Sequence, residues 1–221
     1  PTVCGVGSHS TAVTLEFTKQ MKGLGVDAAL VVSPYYVKPT QEGLYQHFKT
    51  VSDQGGLPVV LYNIPGRSAV CISNDTFRRL AEIDNIIAVK QAVDSTDDLI
   101  NLSQTLEGKI DILSGDCSLV YSMLSVGAKG TISASANVIP KEMCAITDAG
   151  LKGDNAAALK AQQRILGLID VLFAETNPAP AKAALKSMGK ISSDALRLPL
   201  VPVTDATRAR VDEELKKLGL L

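Results

Sequence analysis

Two short apolar runs each end at a side chain that can take part in chemistry. Residues 59–62 read Val-Val-Leu-Tyr, and residues 86–90 read Ile-Ile-Ala-Val-Lys. Continuous apolar runs of this length are typical of strands buried on both faces. Tyr62 and Lys90 are therefore predicted at the carboxyl ends of two buried strands, the position where α/β folds collect their catalytic groups.

Lys90 has the surroundings that can make a lysine nucleophilic. It follows Val89 and precedes Gln91 and Ala92, so we expect it to be partly withdrawn from water. Burial penalises the ammonium form, lowers the pKa of the lysine and leaves a neutral amine that can attack a carbonyl carbon. Tyr62 ends the preceding strand and is a suitable proton shuttle for such an amine. For Lys90 alone, a strand-end lysine that reaches solvent or pairs with a carboxylate is the alternative.

Composition excludes several classes of function. The chain has 221 residues, 46% hydrophobic and 20% charged, which suffices for one well-buried core or two small domains. A net charge of −1 gives no electrostatic reason for binding nucleic acid or an acidic membrane. No apolar stretch approaches a bilayer span, and the printed sequence does not open with a signal peptide. These features predict a cytoplasmic protein.

The cysteines and histidines do not form a metal-binding pattern. Cys4, Cys71, Cys117 and Cys144 are scattered along the chain, which has only two histidines. Such spacing is typical of reduced structural thiols in the cytoplasm, whereas disulfide frameworks and zinc sites have closely spaced ligands. The sequence predicts neither a metal nor a disulfide.

The chain alternates predicted strands and helices. Apolar strand patterns occupy residues 2–7, 28–32, 59–62, 86–89, 110–113 and 130–133. Helical patterns follow them at residues 10–24, 41–52, from 73, 96–106, to about 126, and 140–151; residues 155–174, 180–188 and 205–218 are predicted as helices without intervening strands. Repeated strand–helix units predict a parallel sheet with right-handed crossovers.

Two α/β architectures satisfy this pattern: a doubly wound sheet of six strands, and a TIM-type (β/α)₈ barrel lacking two units. Polar or small residues follow many different strands, namely Tyr36, Tyr62, Lys90, Gly115 and Ser133. A closed barrel gathers all its strand ends at one mouth, so this distribution favours the barrel. We predict a partial barrel over residues 1–153 and a C-terminal helical region over residues 154–221.

Several segments together resemble the dihydrodipicolinate synthase branch of the pyruvate-dependent Schiff-base aldolases, a superfamily that also contains N-acetylneuraminate lyase. The matching segments are residues 32–48, 61–67, the strand ending at Lys90, and residues 113–116, 177–180 and 196–199. Tyr-Asn-x-Pro or Ser-Gly-Asp alone would be a weak signal, but the combination is specific.

The resemblance implies roles for individual residues. Lys90 would form the imine with pyruvate, and Tyr62 would relay protons to and from the adduct. Tyr36 would join the relay of a neighbouring subunit across a tight dimer interface; an ordinary interface aromatic is the alternative. Arg67 would hold the incoming aspartate semialdehyde, because a guanidinium grips a carboxylate with two parallel hydrogen bonds. The alternative for Arg67 is a surface turn residue after Pro-Gly.

The resemblance also places residues around the substrate and at a regulatory site. Gly115 and Ile132 match positions that approach the bound keto acid through their backbone. In regulated relatives an asparagine, a carboxylate and a tyrosine bind lysine, and those positions read His9, Val13 and Tyr35 here. Because Val13 cannot pair with an ammonium group, feedback inhibition by lysine is predicted to be weak or absent.

Departures from the family pattern bear on activity. The family's first two strand–helix units have no counterpart in the 221 residues, and neither does their Gly-Thr-Thr-Gly-Glu loop, whose threonines bind pyruvate and link the relay tyrosines. The resemblance thus implies an N-terminally truncated member, either a fragment or a shortened relative. Gln91 replaces the usual acid after the lysine, and Ala179 and Ala183 are smaller than usual. These changes suggest relaxed selection or another substrate.

The resemblance implies a class I lyase that condenses pyruvate with L-aspartate 4-semialdehyde in lysine biosynthesis, in an assembly of two or four subunits. No cofactor is implied, because the lysine itself provides the electron sink. Two alternatives stay open: a pyruvate-dependent aldolase acting on another aldehyde or sugar acid, and an inactive truncated paralogue with a structural or interaction role.

Overall fold

The computed structural model describes residues 1–93 and 95–221, which form two compact units. The first, here called the sheet unit, comprises residues 1–116 and 122–131; the second, the helical unit, comprises residues 117–121 and 132–221. The boundary predicted after residue 153 falls inside the helical unit, between two helices. As a division between a partial barrel and its extension it stays a prediction.

A parallel sheet of six strands forms the sheet unit. The strands are β1 (Val3–Gly5), β2 (Ala28–Val32), β3 (Val59–Asn63), β4 (Ile86–Gln91), β5 (Asp111–Ser114) and β6 (Gly130–Thr131). Each strand pairs in parallel with the next one along the chain, so the order is β1-β2-β3-β4-β5-β6. A doubly wound sheet reverses its order at a switch point, whereas a barrel wall keeps the sequential order seen here.

Residues 1–93 and 95–221 contain ten α-helices. They are α1 (Thr11–Gly23), α2 (Gln41–Gly55), α3 (Pro65–Ser68), α4 (Asn74–Leu80), α5 (Thr96–Leu106), α6 (Val120–Ser125), α7 (Pro140–Leu151), α8 (Asn155–Leu172), α9 (Ala179–Ser187) and α10 (Asp205–Lys217), and a 3₁₀ helix spans Ser135–Asn137. The short α3 was not predicted, because its Pro-Gly sequence is typical of a turn.

Capping residues explain where five of these helices begin. Thr40, Ser73, Ser95, Asp154 and Thr204 each accept a hydrogen bond from a backbone N–H in the first turn, which satisfies a donor that the helix cannot pair internally.

Ser10 behaves differently from the prediction. It occupies the N-cap position of α1, but its side chain makes no capping bond. The hydroxyl of Thr14 instead accepts from the N–H of Ser8 at 3.0 Å and donates to the carbonyl of Ser10 at 3.0 Å. Thr14 therefore fastens the start of α1 to the loop before it, and Ser10 does not act as the predicted cap.

The strand core is buried on both faces, as the apolar runs predict. Val59, Leu61 and Val89 have no exposed surface, and Phe48 of α2 is equally buried. Within β3 and β4, Ile87 is the exposed apolar residue, with 44% of its surface exposed. Burial of side chains of this size contributes about 1.5–3 kcal/mol each, so β3 and β4 anchor the sheet unit.

The helical unit has its own apolar contacts. Helix α7 packs against α8, and α10 packs against both α8 and α9. Ala179 and Ala183 of α9 are buried with Val203, and Leu196 packs against this cluster. Their small size therefore leaves room for neighbouring apolar side chains inside this unit.

Candidate active site

Tyr62 and Lys90 are partners in the β3–β4 ladder. Because partnered residues of parallel strands point to the same face of the sheet, their side chains meet, and the Lys90 Nζ atom lies 4.1 Å from the centre of the Tyr62 ring. Both side chains are half-buried. An ammonium over an aromatic face is attracted by about 0.5–1 kcal/mol at exposed sites and more when desolvated. The structure thus brings the two principal predicted residues together.

Both strands run further than predicted, β3 by one residue and β4 by two. Asn63 ends β3 and Gln91 ends β4, and the two are partners in the ladder. Their side chains are almost fully buried, with 0% and 4% of their surfaces exposed. The Nδ2 atom of Asn63 donates to the Oε1 atom of Gln91 at 3.0 Å. A buried polar partner across the strands is what extends the ladder.

Sequence reasoning did not assign a role to this amide pair. Gln91 was read only as a departure from the family, and Asn63 only as part of a motif. The Oδ1 atom of Asn63 also accepts from the N–H of Ile72 at 3.1 Å, and its Nδ2 atom lies 3.5 Å from the Cys71 sulfur. The sequence does contain a signal that could have pointed to this pair: an amide residue directly follows each of the predicted catalytic residues Tyr62 and Lys90.

Main-chain hydrogen bonds continue beyond the strands. The N–H of Ala92 donates to the carbonyl of Asn63 at 2.9 Å, and the N–H of Gly115 donates to the carbonyl of Gln91 at 2.7 Å. A Cβ atom at position 115 would lie 2.9 Å from the Cβ of Ala92 and 3.1 Å from the Gln91 carbonyl oxygen. Glycine is therefore required for this close approach, which places predicted substrate-binding Gly115 beside the end of β4.

Arg67 and Tyr36 lie on exposed segments. Arg67 is in α3, whose first turn closes through its N–H bond to the carbonyl of Ile64, and its side chain is exposed. Tyr36 is 89% exposed and has a φ of 69°. Left-handed backbone is uncommon for a residue other than glycine and is enriched at functional sites. These residues stay predictions as substrate-binding and relay groups.

Ile132 belongs to the helical unit, where it is half-buried. The strand predicted over residues 130–133 ends at Thr131. The reason is that Ser133 turns to cap the next element: its hydroxyl accepts from the N–H of Ala136 at 3.2 Å and lies 3.0 Å from the Cys117 sulfur. The role of Ile132 beside the keto acid stays a prediction.

The predicted effector positions include one ring pair. The rings of His9 and Tyr35 meet edge to face, with centroids 5.9 Å apart and planes at 64°. Val13 of α1 is 39% exposed. Tyr35 therefore contacts His9, and Val13 presents a hydrocarbon side chain to solvent. The assignment of these residues to an effector site stays a prediction.

Metal ligands and membrane-spanning helices can be sought among the described residues. Within residues 1–93 and 95–221, His, Cys, Asp and Glu side chains form no group of three suited to hold a metal ion. All four cysteines are free thiols. No helix of this part of the chain has the length and apolar character needed to cross a bilayer.

Comparison with known proteins identifies the family. The model of the dihydrodipicolinate synthetase family matches residues 1–218. The 4-hydroxy-tetrahydrodipicolinate synthase of Syntrophobacter fumaroxidans is 45% identical over 221 residues, covering 100% of this chain and 76% of that protein. That of Pelobacter propionicus is 42% identical over the same lengths.

Solved structures agree with this match. The dihydrodipicolinate synthase of Thermotoga maritima superimposes with a TM-score of 0.97 at 38% identity, covering 100% of this chain and 76% of that one. The chloride-inhibited enzyme of Acinetobacter baumannii, complexed with pyruvate, gives 0.97 at 42% identity with the same coverage. This chain belongs to the dihydrodipicolinate synthetase family.

Proposed function

We propose that this chain condenses pyruvate with L-aspartate 4-semialdehyde to form 4-hydroxy-tetrahydrodipicolinate, a step of lysine biosynthesis. The observation that carries the proposal is the position of the Lys90 Nζ atom, 4.1 Å from the Tyr62 ring centre at the carboxyl end of two paired strands. Family membership supplies the substrates, since the curated relatives carry the name of this synthase.

Lys90 provides the nucleophile. Its neutral amine attacks the C2 carbonyl carbon of pyruvate, and loss of one water gives an imine. Removal of a C3 proton turns the imine into an enamine, whose C3 then attacks the aldehyde carbon of the second substrate. The amino group of that substrate attacks the former imine carbon and displaces the Lys90 amine. One water leaves overall, so atoms and charge balance without any external oxidant or reductant.

Tyr62 moves protons during these steps. A phenol next to the amine can donate to the departing hydroxyl and accept from C3, and such positioned acid–base groups contribute about 10²–10⁴-fold in rate. Arg67 is proposed to hold the carboxylate of the aldehyde substrate, because its exposed guanidinium offers two parallel donors. Gly115 and Ile132 are proposed to approach the keto acid through their backbone.

The finer architecture is also a proposal. Six sequentially ordered parallel strands and coverage of 76% of the relatives' length support a TIM-type barrel without its first two strand–helix units, followed by a C-terminal helical extension. The exposed, left-handed Tyr36 supports a homo-oligomer in which this residue meets a second subunit. The cytoplasmic location stays a prediction.

The test traps the imine. Incubation with pyruvate followed by borohydride should reduce the imine to a stable secondary amine, located at Lys90 by peptide mass spectrometry. Aspartate semialdehyde should be consumed in the same preparation, and a panel of sugar-acid aldehydes should not. An adduct on another lysine would overturn the assignment of Lys90. A chain that forms no adduct would favour the structural or interaction role instead.

A further inference from the structure

The β3–β4 ladder contains a one-residue change of register. Val59 pairs with Ile86, but the next residue, Val60, pairs with Ala88. Ile87 is thus passed over, and it is the exposed residue of an otherwise buried strand, with 44% of its surface exposed. From Val60 onward the pairing is regular to the end of both strands.

This change decides which side chains meet at the active site. A ladder that continued regularly from Val59 and Ile86 would place Tyr62 opposite Val89. Because side chains alternate along a strand, a one-residue difference in register reverses the face on which each side chain lies. Lys90 would then point away from Tyr62. The meeting of amine and phenol therefore exists in the shifted register only.

The amide pair matches the shifted register. Asn63 and Gln91 are direct partners in it, and they lie on the face opposite to Tyr62 and Lys90 because each directly follows one of them. Their 3.0 Å hydrogen bond is fully buried. In the unshifted register Asn63 would face the lysine position, and the buried Gln91 acceptor would lose its partner. Buried polar groups without partners are strongly disfavoured.

Asn63 is itself fixed from the opposite side. Its Oδ1 atom accepts from the N–H of Ile72, so both ends of its amide group are engaged. The segment that carries Ile72 is held in turn by Gln41 of α2, which donates to the carbonyl of Cys71 at 2.8 Å and accepts from the N–H of Ser73 at 3.0 Å. The amide pair is thus attached to the surrounding helices rather than free to slide with the strands.

We propose that Asn63 and Gln91 are positioning residues that fix the shifted register and thereby hold the Lys90 amine over the Tyr62 ring. The inference rests on the proposed function of Lys90 and Tyr62. Both lie on the sheet face opposite to Tyr62 and Lys90, so they act through the geometry of the reacting pair.

The test compares two substitutions of Gln91 with a matched control. Gln91→Met keeps the length of the side chain and removes the oxygen that accepts from Asn63. Gln91→Glu keeps an acceptor oxygen at that place. The control is Asn85→Leu, which removes two comparable bonds, from Asn85 Nδ2 to the carbonyls of Ser52 and Leu57 at 3.0 and 2.9 Å, at the other end of β4. Turnover is expressed per Lys90 residue trapped with pyruvate and borohydride. Molecules that are unfolded and form no imine are thereby left out of the rate.

We expect Gln91→Met to lower turnover per trapped lysine by about 10- to 100-fold, the effect of a misplacement near 1 Å, with a smaller change in the KM for pyruvate. Gln91→Glu should restore most of the loss. Asn85→Leu should lower the melting temperature and leave turnover per trapped lysine unchanged. If Gln91→Met does not accumulate as folded protein, Gln91→Asn, which shortens the side chain by one methylene, should show the same loss.

Two results would overturn the proposal: equal turnover per trapped lysine in Gln91→Met and the native chain, or an equal fall in Asn85→Leu. Either would make the amide pair a contributor to stability alone. Failure of the proposed function is seen separately, because the native chain would then give no adduct at Lys90 and no condensation before any substitution is made.

Discussion

Two groups of polar side chains are withdrawn from solvent in the sheet unit, and they are bonded in different ways. In the helices, Thr18 donates to the carbonyl of Thr14 within one turn at 2.7 Å, and the Nδ1 atom of His47 pairs with the hydroxyl of Thr11 at 2.8 Å. At the strand ends, Asn63 bonds to Gln91 across two strands, next to Tyr62 and Lys90. We call these the helix group and the strand-end group.

The difference separates stability from chemistry. The Thr18 bond lies within one helical turn and the His47 bond joins α1 to α2, so neither of them sets the pairing of the strands. A bond between strands sets the register of everything attached to them. Changes in the helix group should therefore alter the free energy of unfolding, and changes in the strand-end group should alter turnover. The predictions that follow test this separation, from the largest expected effect on turnover to the smallest.

Lys90→Ala should abolish both condensation and borohydride trapping, because no other group supplies the imine nitrogen. The matched control is Lys109→Ala, which removes a surface lysine paired with Glu82. Surface ion pairs contribute little, about 0–1 kcal/mol, so this control should keep both activities. Peptide mass spectrometry after trapping checks the result. An adduct that survives in Lys90→Ala would show that Lys90 is not the imine-forming residue, and the comparison of the two groups would then lose its basis.

Tyr62→Phe should lower turnover by about 10²–10⁴-fold, the usual contribution of a positioned acid–base group. The ring remains below Lys90, so trapping of pyruvate should persist. Tyr45→Phe is the control from α2, since Tyr45 also has a cation over its ring, the Arg79 guanidinium at 3.7 Å. Steady-state rates of both variants decide the matter: similar losses would mean that the phenol of Tyr62 has no special role.

Lysine should bind or inhibit about 10- to 100-fold more weakly than it does in regulated relatives. Loss of a charge partner costs about 1–3 kcal/mol, which corresponds to that range of affinity, and Val13 offers none. This surface lies outside both groups, so the defect should leave turnover itself unchanged. Calorimetric titration measures it, with Val13→Glu as the variant expected to recover affinity. Inhibition of the native chain at the level of regulated relatives would refute the prediction.

His47 should make stability, and not turnover, depend on pH. Burial lowers the pKa of His47 from 6.5 to about 4, and its Nε2 atom is buried without a partner among the described residues. Below pH 6.5 His47 is protonated in the unfolded chain, whereas in the folded chain it stays neutral until about pH 4. The contribution of neutral His47 to the free energy of unfolding is therefore complete above pH 6.5. It is lost as the pH falls towards 4, by at most about 1.4 kcal/mol per pH unit.

The measurement is urea unfolding of the native chain and of His47→Gln between those two pH values. The difference in the free energy of unfolding between them should shrink or reverse as the pH falls, because the variant lacks the titrating ring. Turnover per trapped lysine should be the same in both proteins. If the difference in the free energy of unfolding does not depend on pH, His47 is not the group that titrates.

Local signals explain which parts of the fold the sequence predicts. Helix α5 begins where expected because Ser95 caps it, and α7 begins where expected because Pro140 suits a first helical position. The strand order follows from sequential strand–helix units. That Tyr62 and Lys90 lie at the same end of neighbouring strands was predictable, because both end apolar runs; that their side chains share one face depends on the register of the ladder.

The remaining features depend on information that a sequence pattern does not contain. Burial on both faces gives β3 and β4 no alternation from which to read a register, so the shift at Ile87 and the bond between Asn63 and Gln91 could not be foreseen. The end of β6 at Thr131 depends on a capping bond of Ser133 to Ala136, which is a tertiary detail. The backbone of Tyr36 is set by its loop and not by its residue type.

The shifted register also has a consequence for insertions and deletions in the gene. Since Ile87 is the residue that the ladder passes over, loss of its codon would leave Ile86 and Ala88 opposite Val59 and Val60, and Lys90 would keep its partner. Loss of the codon for Val89 would instead move the lysine by one place if the shift stayed, and would reverse the faces of Ile87 and Ala88 if the ladder became regular. We expect a deletion scan through β4 to find one silent position next to inactivating ones, so that the catalytic strand tolerates a change of length at one point and nowhere near its end.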